Sequence, residues 1–338
     1  QEYYFKSLSR VTSSKDSVIA LSNYGLVLHS RGMFKEAEKV YQKVISLDSA
    51  SHLGYQKLAG LYLDEPSARA KSFDLYKKAY EVKPNSGQTI ADIADYYNFY
   101  SHTDAEEDSS LLWYDKAIAT DPHYVWSYVN KGRYFIGKGD YSKALETVNE
   151  GIQKIPYRAE LYRELGYIYK QQQDFKKAEE SYKLSLVKNP YFIGAIRGLA
   201  KLYEKNLAQP HRADSLLFEA VKKVPHSPAV QKEYADFFMR QNDTANALMY
   251  YKKSIKVDSL YSYGYVNLSS ILLEQGHFQQ ALEYYRKAVR LDPAHHSFEE
   301  FISLVRFKVR DIQRQGKLTE ALEGYTLLLN EDPESKTV

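Results

Sequence analysis

Large and small apolar residues recur along this chain at fixed intervals, set between polar stretches. Residues 125–158, VWSYVNKGRYFIGKGDYSKALETVNEGIQKIPYR, show the pattern in full. The turn Gly137-Lys138-Gly139-Asp140 divides this stretch into two segments, which predicts two helices. Small Gly132 precedes the turn, Tyr141, Ala144, Val148 and Gly151 follow it, and Pro156 ends the second helix. With Gly132 as the eighth position of a unit, the arrangement is found nine times. The eighth column reads Gly25, Ala59, Ala94, Gly132, Gly166, Ala200, Ala235, Ser269 and Val309. The twentieth reads Ala37, Ser72, Ser110, Ala144, Ala178, Ala213, Ala247, Ala281 and Ala321. Antiparallel helices approach closely only where the residues at their crossing are small, so both columns have a steric cause. The twenty-fourth column is Tyr41, Tyr76, Tyr114, Val148, Tyr182, Leu217, Tyr251, Tyr285 and Tyr325. It places a ring between helices, with a hydroxyl able to reach a wet edge. The thirty-second column, Ser49, Pro84, Pro122, Pro156, Pro190, Pro225, Ser259, Pro293 and Pro333, takes seven of the ten prolines, each ending a second helix.

This unit resembles the tetratricopeptide repeat, a helix–turn–helix of about 34 residues with small residues at its helix crossing and a proline near its end. The resemblance covers nearly the whole chain. It implies an all-α fold, an α-solenoid wound as a right-handed superhelix of about nine repeats after an N-terminal half-repeat. The expected units are 18–51, 52–85, 87–124, 125–158, 159–192, 193–227, 228–261, 262–295 and 302–335. Residues 1–17 read as the second helix of a preceding unit (Tyr4, Ser7, Leu8) and a linker, and 336–338 as a tail. Single extra residues fall near Pro66 and near Pro210, and a longer insertion, 101–108, divides the third unit. In the ninth unit the first helix is expected to begin near Phe298, and Val309 stands in the small column. The last helix carries Leu322, Leu327, Leu328 and Leu329, which reads as an open, adhesive end.

A length of 338 residues would ordinarily suggest two or three globular domains, but a solenoid grows by neighbour contacts instead. Net charge is +3 from 46 basic and 43 acidic residues, a balance that points away from nucleic acid and membrane surfaces. The expected partners therefore include no nucleic acid. No apolar run is long enough for a membrane span. Cysteine is absent, which removes disulfides and thiol chemistry and leaves cytoplasm and periplasm both permitted. Residues 1–15 hold no charged-then-apolar leader, which suggests a fragment of a longer protein or a mature form without its leader.

Catalytic signals are weak, and the expectation is that the chain is not an enzyme. The nine histidines fall mostly in turns or helix starts, none paired at i, i+4 with the glutamate of a zinc protease. His295-His296 reads as solvated rather than as a metal site. The phosphate loop GXXXXGK[ST] is absent. Asp104, Glu106, Glu107 and Asp108 lack the spacing and glycine of a calcium loop, and read as a turn favouring the next helix. Asn242 and Asn267 open glycosylation triplets too short to weigh. No cofactor and no metal are expected.

The resemblance to tetratricopeptide repeats implies that first helices line a groove for an extended peptide or a helix of another protein. Positions two, five, six, nine, twelve and thirteen face it in that family. Early units place Asn23, Gln56, Lys57, Asp92, Asp95, Asn98 and Phe99 there. The partner-binding candidates are Trp126, Asn130, Arg133, Arg163, Tyr167, Arg197, Lys201, Lys232 and Asn267, then the stripe Arg306, Arg310 and Arg314. Arginine forks suit carboxylates or phosphates and the rings suit apolar side chains, so the expected partner is a protein or peptide with acidic and aromatic residues. Glu160, Glu164, Glu204, Glu233 and Asp236 interleave, and the alternative is a solvated face that neutralises itself. Lys232 and Asn267 fit two places of the family's terminal-carboxylate clamp, while Asp236, Ser303 and Phe307 depart from it. Only Asn23, Asn130 and Asn267 fit the asparagine ladder of its sugar-transferring members. The reading is a non-enzymatic protein-interaction scaffold. The alternatives are an accessory region of a larger enzyme or regulator, and a module that self-associates through its C-terminal end. RNA-reading helical repeats are more distant.

Overall fold

A computed structural model describes residues 14–30, 32–64, 68–100, 104–292 and 296–331. Eighteen α-helices and no strand occur among them. They run in pairs: α1 (Ser14–Ser30) with α2 (Phe34–Leu47), α3 (His52–Asp64) with α4 (Ala70–Val82), and α5 (Gly87–Tyr100) with α6 (Asp104–Thr120). Then come α7 (Val125–Gly137) with α8 (Tyr141–Lys154), α9 (Ala159–Gln171) with α10 (Phe175–Lys188), and α11 (Ile193–Lys201) with α12 (Pro210–Lys223). The series closes with α13 (Pro228–Arg240) and α14 (Thr244–Val257), α15 (Ser262–Glu274) and α16 (Phe278–Leu291), and α17 (Phe298–Arg314) and α18 (Leu318–Glu331). The chain is an all-α solenoid of helix hairpins. Contacts among the described residues form two compact units, the first ending at Ala213 and the second beginning at Asp214. The expected half-repeat helix, Pro66, Pro293, His295, Pro333 and the tail lie outside the described residues.

Local chemistry sets each turn. Asp140, Asp174 and Asp243 cap α8, α10 and α14 by accepting the amide protons of Lys143, Lys177 and Asn246. All three carboxyls lie below the usual aspartate range: Asp140 chiefly through the Lys143 amide, and Asp174 and Asp243 chiefly through side-chain hydrogen bonds from Lys177 and Asn246, with the backbone amides second. The residue before each cap adopts a left-handed backbone, at Gly139 (φ 75°), Gln173 (φ 62°) and Asn242 (φ 60°). In the sixth repeat α11 passes into a π-helical turn, Leu202–Asn206, before Pro210 opens α12. Residues 104–108, the second half of the expected insertion, form the first turn of α6.

The small columns do the packing work assigned to them. Ala37, Ala144, Ala178, Ala213, Ala247 and Ala281 are fully buried. Ser72 and Ser269 keep their hydroxyls at the crossing by donating to the carbonyls of Ala59 (2.8 Å) and Ala281 (2.7 Å). The C-terminal expectation is corrected in part. Leu327 and Leu328 are 1% exposed, buried in a cluster with Phe278, Phe301, Val305 and Val309. Leu318, Leu322 and Leu329 form the open side of α18 instead.

Candidate functional site

In the first compact unit, the positions expected to face a ligand also bind one another. The first helices α5, α7, α9 and α11 pack in succession, and α3 is tied to α5 by a side-chain hydrogen bond. Gln56 Nε2 on α3 donates to Asp92 Oδ2 on α5 at 2.6 Å. Asn130 Nδ2 on α7 donates to both oxygens of Asp95, at 2.8 and 3.1 Å. Arg133 reaches Glu164 on α9 through Nε (3.3 Å), and Arg163 Nη1 meets the same carboxylate at 2.6 Å. Glu164 is wholly buried, with both guanidiniums against its carboxylate. These bridges make a polar ladder across repeats two to five.

Burial is the largest influence on the ionisation of Asp92, Asp95 and Arg163. It pushes the Asp92 carboxyl up to about 6, against the Gln56 hydrogen bond and the charge of Lys57. It pushes Asp95 up to about 7, aided by the Asp92 charge and opposed by hydrogen bonds from Tyr114 and Asn130 and by Arg133. Arg163 lies below the usual arginine range because it is largely desolvated, although Glu164 acts the other way. Of the remaining candidates here, Trp126 is 37% exposed, and Arg197 is exposed with a partner of its own. Lys201 is exposed. Tyr167 is partly buried, with the Lys170 ammonium 5.1 Å from its ring centre.

In the second compact unit, Lys232 Nζ pairs with Asp236 at 2.6 Å, and Asp236 also accepts the Tyr251 hydroxyl at 2.7 Å. The Asn267 amide nitrogen is buried without a hydrogen-bond partner. The stripe expected on one helix is present on α17. There Ser303, Arg306, Phe307, Arg310, Asp311 and Arg314 line a groove of about 430 Å³. Phe307 is 75% exposed in it, and Asp311 is held by Gln315 Nε2 at 2.9 Å. Arg310 and Arg314 are exposed and pair with no acid among the described residues. Phe307, a departure from the family's clamp, supplies the groove's apolar surface. Among the described residues, no cluster of three His, Asp or Glu side chains could hold a metal ion, and no helix is long and apolar enough to cross a membrane.

The chain matches the tetratricopeptide repeat family at residues 19–51, 159–186 and 262–295. Protein bimA of Emericella nidulans is 23% identical over 165 residues, which are 49% of this chain and 20% of that protein. The chain thus spans only 20% of the length of this curated relative. The human IFIT1 dimer with m7Gppp-AAAA is similar over 81% of this chain and 72% of its own, at 18% identity and a TM-score of 0.49. YrrB, a TPR protein with an unusual peptide-binding site, is similar over 54% of this chain and 93% of its own, at 18% identity and a TM-score of 0.33. One expectation is corrected here. Similar IFIT1 structures hold m7Gppp-AAAA and PPP-AAAA, and the expectation of no nucleic acid among the partners is withdrawn.

Proposed function

We propose that this array of tetratricopeptide repeats is a protein-interaction scaffold, and that the α17 groove takes an extended partner segment bearing acidic and aromatic residues. The observation that carries this reading is the groove itself. Among the described residues no acid pairs with Arg310 or Arg314, and Phe307 exposes its ring in the same groove. Two guanidiniums without acids suit carboxylates, and an exposed ring beside them suits an aromatic or aliphatic side chain. Asn267, on the adjacent α15, adds a buried amide donor that no described residue matches. A bound backbone carbonyl would satisfy it. The ladder of the first unit serves a different end, holding successive first helices in register.

Fluorescence anisotropy tests this reading. The probes are a labelled Asp/Glu-rich peptide with one Phe and a control in which Lys replaces the acids. The full chain is expected to bind the acidic peptide, and Arg310→Glu/Arg314→Glu to bind it at least about tenfold more weakly, roughly 1.4 kcal/mol. Both sites are exposed, so the melting temperature should hold. Equal binding by the two chains, or of the two peptides, would remove the groove from the account.

A further inference from the structure

The cations of the first-helix face are mostly matched to acids: Arg133 and Arg163 to Glu164, Lys232 to Asp236, and Lys308 to Glu274. Besides Arg310, Arg314 and Lys57, three lysines are not. Lys170 stands in the last turn of α9, Lys201 ends α11, and Lys205 lies in the π-helical turn Leu202–Asn206. Helices α9 and α11 pack against each other. In their repeats these lysines occupy the twelfth, ninth and thirteenth columns, all of them columns that line the groove in the family. Among the described residues no acid pairs with any of the three, and Glu204 in the same turn has a partner of its own.

Lys170 registers its neighbours. Burial first, then the charges of Lys201 and Lys205, hold it below the usual lysine range. Like charges gathered beside a partly buried ammonium repel unless a counter-charge enters. The cluster sits beside a π-helical turn, a geometry that is rare and recurs at functional sites.

We propose that Lys170, Lys201 and Lys205 form a binding site for one phosphoryl group, carried as a phosphorylated side chain on a segment of a partner protein. Three compact ammonium groups near the C-terminal ends of two packed helices suit the concentrated charge of a phosphate, close to two negative units, better than a single carboxylate. They make a point and not a track, which fits one group better than the repeated charge of a nucleic-acid backbone. The neighbouring Tyr167 ring offers apolar contact to the residue that bears the phosphate. This site does not depend on the α17 groove, and its test reads other residues.

The experiment uses the full chain at low salt with three labelled probes: a Gly-Ser peptide carrying one phosphoserine, its unphosphorylated twin, and a 5′-phosphorylated oligoribonucleotide. The expected result is binding of the phosphopeptide at least tenfold tighter than of its twin. Lys201→Gln/Lys205→Gln should abolish that preference without lowering the melting temperature, since both residues are exposed. Lys201→Arg should retain it. Equal affinity for the two peptides, or a preference that survives in the double variant, overturns the site. Tighter binding of the oligoribonucleotide than of the phosphopeptide, lost in the double variant, overturns its assignment to a protein segment.

Discussion

Val309 Cγ2 on α17 occupies space that a side chain at Gly324 on α18 would need: a Cβ there would lie 2.2 Å from it. In the fourth repeat the small residue is on the first helix, where a Cβ on Gly132 would meet Val148 Cγ2 at 3.0 Å. The ninth repeat exchanges the two sizes and keeps the close crossing. Gly324→Ala is therefore expected to overpack this junction by roughly 1–3 kcal/mol. The double variant with Val309→Ala should be more stable than the sum of the single losses predicts. Urea unfolding of the four chains measures the coupling, and strict additivity would contradict it.

Tyr41 and Tyr251 share a column but not a partner. Position nine of the seventh repeat is Asp236, which accepts the Tyr251 hydroxyl at 2.7 Å. The third repeat repeats the bond between Tyr114 and Asp95 at 2.5 Å. In the first repeat that position is Leu26, and the buried Tyr41 hydroxyl is left unmatched. Tyr41→Phe is expected to be neutral or stabilising, within about 0.5 kcal/mol, whereas Tyr251→Phe should lose about 1.5–3 kcal/mol. Similar losses from the two substitutions in chemical denaturation would show that the hydroxyl of Tyr41 has a partner after all.

The fold was legible because its causes are steric and local. Small residues at positions eight and twenty and proline at thirty-two each act within one hairpin, so a single sequence displays them. The face of the first helices was less legible. Asp92, Asn130 and Glu164 all occupy position six, and their roles depend on what the neighbouring repeat offers: Gln56, Asp95 and Arg133. Spacing locates such residues on a face without saying whether they meet each other or a ligand. The tyrosine hydroxyls were expected at a wet edge for the same reason, and in two repeats they reach position-nine carboxylates instead. The last helix misled because Leu327, Leu328 and Leu329 are consecutive, and only the helix phase separates the buried pair from the exposed Leu329.

Gln173 carries backbone strain that its glycine equivalents avoid. The same turn position is Gly32, Gly139, Gly276 and Gly316 in other repeats, with φ between 65° and 79°, while Gln173 adopts φ 62° with a full side chain. A left-handed backbone costs an L-residue roughly 1–2 kcal/mol, and glycine returns part of the gain as unfolded-state entropy. Gln173→Gly should therefore stabilise the chain by about 0.5–1 kcal/mol. A calorimetric melting temperature below that of the native chain would refute this.

Asp92 gives the chain a pH dependence with a defined sign. Its carboxyl is raised to about 6 in the fold, from an ordinary value near 3.8, with burial the largest cause. The folded state thus keeps a proton that the unfolded chain releases, and stability falls as pH rises between those two values. The charged neighbours are Lys57, which lowers the value, and Asp95, itself raised to about 7. Asp92→Asn removes the ionisation and supplies an amide donor to Gln56 Oε1, which is buried and unmatched. Relative to the native chain, the variant should gain little near about pH 4, then progressively more up to about pH 6, reaching on the order of 1–2 kcal/mol. Above that the gain should level off, because the native carboxylate is then fully ionised. Denaturant midpoints across this range decide the matter. A constant difference from acid to neutral pH would mean that the substitution acts through packing alone.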